Sequence, residues 1–410
     1  MIKINNKLNV VFAFYLVAMP LVATIFDCFK LNFNLFYQLV TWAIIYFVVL
    51  IISFILCIWK RGKTSFNPKF NIGIVFALLM LLVILLSSCI NASFNSVLVI
   101  YLSYFLIFYC VYMLDKKHRS ILLDVLIVIM AICCIMGFID PLNKFMPGFG
   151  NFYGLSLQFS NPNYAAYIIS ALTIICFIKF NKLCTKLKFY YLVCYLIFAV
   201  YLFMNGSFMP ISALFLCEII ALIYVSVKNK KCQYKLLSLL LILIPICLLV
   251  DLIPNIKIIR TCPYNYFIEC VAVFDNIFNT KLLSIFNINT IAGADGWDRQ
   301  NLLNQSLKAG FDSPKRFIFG GGAGTFYKFR PHNGFLSLML DFGLFMPMLY
   351  LAMLVYIVVK AFKANNKTFK LAFSLVIMSS CYLVGSIVYT SYYVFVILLA
   401  LCCSEMFKQN

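Results

Sequence analysis

Charge is what this chain has least of. Only 11% of its 410 residues are Asp, Glu, Lys or Arg, where a water-soluble domain carries about a quarter. With 64% hydrophobic residues, it cannot cover a water-facing surface, which excludes a soluble globular enzyme. Histidine is nearly absent, at two residues, and no Cys-x-x-Cys pair or Cys/His cluster occurs. That excludes the usual metal sites, and no cofactor is expected. The 17 cysteines lie mostly inside apolar runs, Cys57, Cys89, Cys133, Cys134, Cys176, Cys402 and Cys403 among them, and there they act as small hydrophobes. No Gly-x-Ser-x-Gly occurs, which argues against a nucleophile-elbow hydrolase. No Asp-x-Asp stands on a polar connection, which disfavours a metal-dependent lipid-linked glycosyltransferase. Internal repeats are missing too.

What the chain does have is apolar runs, continuous from residue 9 to residue 407. Runs of about 17–25 residues read as transmembrane helices, so the expected fold is all-α, a polytopic membrane bundle of about twelve helices. The spans fall near 9–27, 36–58, 70–90, 95–114, 120–139, 163–180, 189–205, 208–227, 236–254, 333–359, 370–388 and 391–407. The organisation is then 1–254 for the first nine helices, 255–332 for one large loop, and 333–410 for the last three. The start, MIKINNK and an apolar run, lacks a small-residue cleavage site, so an uncleaved first span is expected.

A formal charge of +20 would raise nucleic acid in a soluble protein. Here the basic residues sit in short clusters between apolar runs, so no nucleic-acid partner is expected. With the N-terminus inside, 22 of the 33 lysines and arginines fall on inside segments, and short outside loops hold only Lys30 and Lys144. The other nine lie in the 255–332 loop, whose length takes it outside the positive-inside rule. Both termini are therefore expected on the cytoplasmic side.

The loop holds Tyr264–Phe278, which reads as an amphipathic helix, and a second predicted helix from Asp298 to Lys308 with Gly310 as its stop. Its two cysteines, Cys262 and Cys270, could close a disulfide in an oxidising compartment or lie as free thiols against the membrane. Arginine is scarce, yet four of six stand here: Arg260, Arg299, Arg316 and Arg330. Lysine suffices to orient a membrane protein, whereas a planar fork is needed to grip phosphate or carboxylate oxygens. The alternative is pairing with Asp275, Asp295, Asp298 or Asp312.

His332 stands at the mouth of a predicted membrane helix between Arg330 and Asn333. A helix N-terminus and a neighbouring arginine both disfavour protonated imidazole, leaving it able to accept a proton from a hydroxyl. The alternative is a histidine that only caps the helix. His118, in Asp115-Lys116-Lys117-His118-Arg119, reads as part of a solvated turn. Gly320-Gly321-Gly322-Ala323-Gly324 would let backbone amides cradle an anion; no Gly-Lys-Ser/Thr follows it, so it is not a P-loop. Acids away from the ends of the expected spans are few: Asp124, Glu218, Asp251 and Asp341, the last two turns into the helix expected to begin at Asn333. Intramembrane carboxylates are costly and often functional.

Residues 317–350, FIFGGGAGTFYKFRPHNGFLSLMLDFGLFMPMLY, resemble the signature of the bacterial O-antigen polymerase and O-antigen ligase family: a glycine-rich turn, His-Asn opening a membrane helix, then an acidic residue and glycine. Arg299 in WDRQNLLNQSLKAGF resembles the family's arginine at the head of a short loop helix, and Asn161-Pro162-Asn163 its asparagine–proline motif. In one respect the chain departs from the family. Many members open a middle span with Ser-Arg, whereas Ser207 is followed here by Phe208, so no role passes to that position.

The resemblance implies metal-independent glycosyl transfer at the outer face of a bacterial inner membrane. The donor would be an oligosaccharide on undecaprenyl pyrophosphate, and membrane lipid, a chain-length regulator and a flippase would be partners. Together with the arginine placement and the glycine run, it points to His332, Arg299 and Arg330 as catalytic residues and to Arg260, Arg316, Asn333, Asn161, Asn163, Gly321 and Gly322 as substrate-binding, with Arg260, Arg316 or Arg330 standing in for the arginine missing at Phe208. Richness in Asn, Lys, Ile and Phe favours the polymerase over the ligase, which transfers glycan to lipid A-core. A lipid-linked-glycan flippase or other transporter would instead show pseudo-symmetric halves and short loops.

Overall fold

A computed structural model describes residues 2–28, 34–61, 72–139, 145–147, 153–155, 162–182, 187–205, 214, 305, 307–325, 334–363 and 393–407. In chain order the helices are α1 (Ile2–Cys28), α2 (Leu35–Arg61), α3 (Ile72–Ile90), α4 (Ser96–Tyr112), α5 (Lys116–Ile139), α6 (Pro162–Lys182) and α7 (Leu187–Asn205). After them come α8 (Pro314–Phe319), α9 (Gly334–Phe342), α10 (Phe345–Lys363) and α11 (Tyr393–Phe407). Between α5 and α6 two three-residue strands, β1 (Phe145–Pro147) and β2 (Tyr153–Leu155), pair antiparallel with Phe145 opposite Leu155. Apart from that hairpin, the described elements are helical. The expected spans 208–227, 236–254 and 370–388, the loop helix 264–278, and Cys262 and Cys270 lie outside the described residues.

Among the described residues, three helical segments, Lys7–Phe26, Ile72–Ile90 and Lys116–Gly137, are long and apolar enough to cross a membrane. Their exposed surface fits a lipid environment. On α3 a row at helical spacing, Val75, Leu79, Leu82, Leu86 and Ile90, is exposed, and Met348, Leu351, Val355 and Val359 continue such a row on α10. Soluble monomers do not display apolar stripes of that length. Helices α6 and α11 are the opposite case, buried on every side over 165–177 and 393–404, as an apolar helix within a bundle must be.

Local chemistry sets several ends. Pro162 opens α6 at a position where its missing N–H costs nothing. Asn95 caps α4, its side-chain oxygen accepting from the N–H groups of Val97 and Leu98 at 3.0 and 3.1 Å. Helix α1 is keyed to its neighbours by polar contacts in an apolar setting: the Tyr46 hydroxyl donates to Asn9 at 2.7 Å and the Trp42 indole to the Phe12 carbonyl at 3.3 Å. Arg119 is buried rather than spread in solvent, donating to the Leu114 carbonyl at 2.8 Å.

One ion pair joins three helices. Lys179 of α6 meets Asp124 of α5 at 2.6 Å, and the Tyr191 hydroxyl of α7 donates to the same carboxylate oxygen at 2.9 Å. Lys179 is mostly buried, and removing its charge takes an ionic hydrogen bond from Asp124, whose carboxylate is half-buried and keeps the Tyr191 hydroxyl. Lys179→Met should lower stability by about 1–3 kcal/mol. Asp124→Asn, which still accepts from Tyr191, should cost less. Thermal unfolding midpoints in detergent measure both, and equal midpoints for Lys179→Met and the native chain would refute the assignment.

The largest departure from expectation lies at 333–359, where one continuous helix was expected. The described backbone breaks at Gly343. Its φ is +78°, and its N–H donates to the Met339 carbonyl at 2.8 Å, the left-handed stop common at helix ends. Helix α10 restarts at Phe345 and folds back along α9: the rings of Phe335 and Tyr350 lie 5.7 Å apart. In a straight helix those residues would stand about 22 Å apart. The two helices form a hairpin with its tip at Gly343 and Leu344.

Candidate functional site

The tip of that hairpin meets the glycine-rich segment and the turn between α3 and α4. Ser313 caps α8 with Pro314 at its first position, and Gly320 ends it, at φ +70° with its N–H on the Arg316 carbonyl at 2.8 Å. Helices α8 and α9 thus each end on a glycine of positive φ, and each stop rests on the other's last turn. Gly321 and Gly322 donate to the Leu340 and Asp341 carbonyls at 2.8 and 2.9 Å, while Leu344 donates to Phe317 at 2.9 Å. These bonds satisfy helix-terminal carbonyls that would otherwise be orphaned.

The α3–α4 turn supplies the remaining donors. The Ser87 hydroxyl is shared between the Phe319 and Asp341 carbonyls, at 2.5 and 3.0 Å. Asn91 donates to the Ser87 and Gly320 carbonyls at 2.9 and 3.2 Å, and Asn95 to Ala323 at 2.6 Å. Nothing in an isolated reading of SSCINASFNS marks these three residues beyond a polar turn. Their spacing of four puts Ser87 on the last turn of α3, Asn91 just past it and Asn95 at the head of α4.

An anion cradle was expected of the glycine run, and the geometry corrects this. The amides of Gly320, Gly321 and Gly322 are taken by protein carbonyls. Helices α3 and α9 end at this joint and α4 begins there, so helix termini of both signs meet beside the carboxyl group of Asp341. Asp341 is 5% exposed and accepts from the Tyr101 hydroxyl at 3.4 Å.

Beneath the joint, an apolar cavity of about 120 Å³ lies between α3, α4, α10 and α11. Tyr101 and Leu338 stand in its lining near the joint, with Ile84, Tyr104, Tyr350 and Leu399 among the other walls.

Of the residues singled out in the sequence, Gly321 and Gly322 belong to this joint, and Arg316 stands on α8 beside it. Arg316 pairs with Asp312, four residues earlier and exposed, the alternative that the sequence left open for the loop arginines. Asn163 stands in the first turn of α6. His332, Asn333, Arg330, Arg299, Arg260 and Asn161 lie outside the described residues. His118 is on the surface at the start of α5, its ring nitrogen 2.7 Å from Asp115, far along the bundle from the joint. No protein-family model, curated protein or solved structure matches the chain.

Proposed function

We propose that this chain is a metal-independent glycosyltransferase of a bacterial inner membrane, a polymerase of O-antigen or a related surface polysaccharide. It would transfer a glycan from undecaprenyl pyrophosphate to a sugar hydroxyl of the next lipid-linked repeat unit. The observation that carries the reading is the concentration of scarce arginines, with His332-Asn333, in the one long polar stretch of an otherwise apolar chain. Pyrophosphate is a good leaving group once its charge is held, so fixed guanidinium groups and a base suffice for the transfer. The amides of Gly320, Gly321 and Gly322 are taken by protein carbonyls, so in this reading the pyrophosphate falls to Arg299 and Arg330. An apolar cavity beside the joint offers room for hydrocarbon.

In this reading about twelve helices cross the membrane, both termini are cytoplasmic, and 255–332 faces outward. A cysteine placed at Asn304, in a background stripped of reactive native thiols, should react with an impermeant reagent on whole cells, and one at Asn229 should not. Labelling at Asn229 alone would overturn the orientation and the site with it. The reaction itself is tested by supplying purified protein with lipid-linked repeat units and lipid A-core. Formation of a polymer ladder with release of undecaprenyl pyrophosphate supports the polymerase; transfer only to lipid A-core makes it the ligase.

A further inference from the structure

Asn95 makes two connections with one side chain. Its oxygen accepts from Val97 and Leu98, closing the first turn of α4, while its nitrogen donates to the Ala323 carbonyl at 2.6 Å. The partners fix which way the amide points, since N–H groups require the oxygen and a carbonyl requires the NH₂. Ala323 is fully buried, and the segment around it leaves no slack. A side chain at Gly322 would collide with Ser93, at 2.0 Å, and one at Gly324 with Val97, at 2.7 Å. The segment 320–324 therefore lies pressed against the α3–α4 turn, and the α9 carbonyls hang from its amides.

We propose that Asn95 is a positioning residue, a single amide that locks the glycine segment, and through it the tip of the α9–α10 hairpin, onto the head of α4. Ser87 and Asn91 hold the same segment from the α3 side, so the hairpin is fixed against both helices at once. Capping alone does not require asparagine: aspartate and serine cap helices about as well. Bonding a carbonyl and capping with one side chain does require it. Aspartate has no hydrogen to donate and sets a carboxylate against the Ala323 carbonyl; serine caps but is too short to span both partners.

The test separates these two jobs. Asn95→Asp and Asn95→Ser are made in the full-length chain, purified in detergent, and compared by amide hydrogen exchange. If the lock exists, exchange in peptides covering 319–325 and 339–344 rises about tenfold in both variants while α4 stays protected. If Asn95 is only a cap, both variants exchange as the native chain does, and the proposal is overturned. Should one variant fail to accumulate, the other decides alone.

This arm is independent of the proposed reaction, and only a second arm rests on it. The variants' glycan ladders should shrink while protein levels hold. Raised exchange with an unchanged ladder would keep the lock and remove its link to the proposed site.

Discussion

Replacing His332 with alanine should leave membrane insertion at the native level and abolish polymer formation in cells. His332 would take the proton of the acceptor sugar hydroxyl as it attacks the anomeric carbon, while Arg299 and Arg330 hold the departing pyrophosphate. Loss of a general base costs about 10²–10⁴ in rate. A ladder is emptied by less than that, because each added repeat must pass the same step. Arg299→Lys should also be poor, since a point charge does not reproduce the two parallel bonds of a guanidinium. His118→Ala is the matched control: its ring contacts Asp115 at the start of α5, and its loss should be silent. A ladder that survives in His332→Ala would make the histidine a helix cap and refute the catalytic assignment, though not the membrane architecture.

Much of the architecture was legible because hydrophobic runs report helices directly. The expected spans at 70–90, 163–180 and 189–205 match α3, α6 and α7 to within about two residues. What escaped was pairing at long range. Gly343 sits inside an apolar run, where a lone glycine reads as a tolerated helical residue. Its stop is set by the docking of Gly320 and Ile318, segments whose register no local pattern reveals. One signal was present: Asp-Phe-Gly followed by Pro347, glycine as a stop with proline shortly beyond it. An expected span running from 333 to 359 was also longer than a bilayer needs.

The glycine run misled for a related reason. Sequence shows that its backbone can approach something closely, but not whether that something is a ligand or another helix end. Here it is a helix end, and the approach explains why the amides cannot also serve an anion. Ser87, Asn91 and Asn95 were visible only as polar letters in a short turn. Their role depends on carbonyls more than two hundred residues away.

The same glycine that broke the expected helix provides the sharpest test of the fold, because the two alternatives differ in sign. In a continuous helix through 343, alanine would replace glycine at a helical position and stabilise by about 1 kcal/mol. In the hairpin, a Cβ at Gly343 would lie 2.0 Å from the Ile318 carbonyl oxygen and 2.4 Å from its carbon. Both are backbone atoms of α8 and cannot rotate away. The left-handed backbone adds a further cost of about 1–2 kcal/mol for any side chain. Relief would come only from parting α8 and α9, which breaks the Leu344–Phe317 bond and loosens the Gly321 and Gly322 bonds. The combined loss should exceed about 4 kcal/mol, in the range reserved for strained or severed structures. Gly310→Ala is the control, its Cβ meeting only the side-chain ends of Leu340 and Met339 at 3.1 Å, where small shifts make room. Thermal unfolding in detergent should therefore show Gly343→Ala far below the native midpoint and Gly310→Ala close to it. A midpoint for Gly343→Ala at or above the native value would restore the unbroken helix and dissolve the joint.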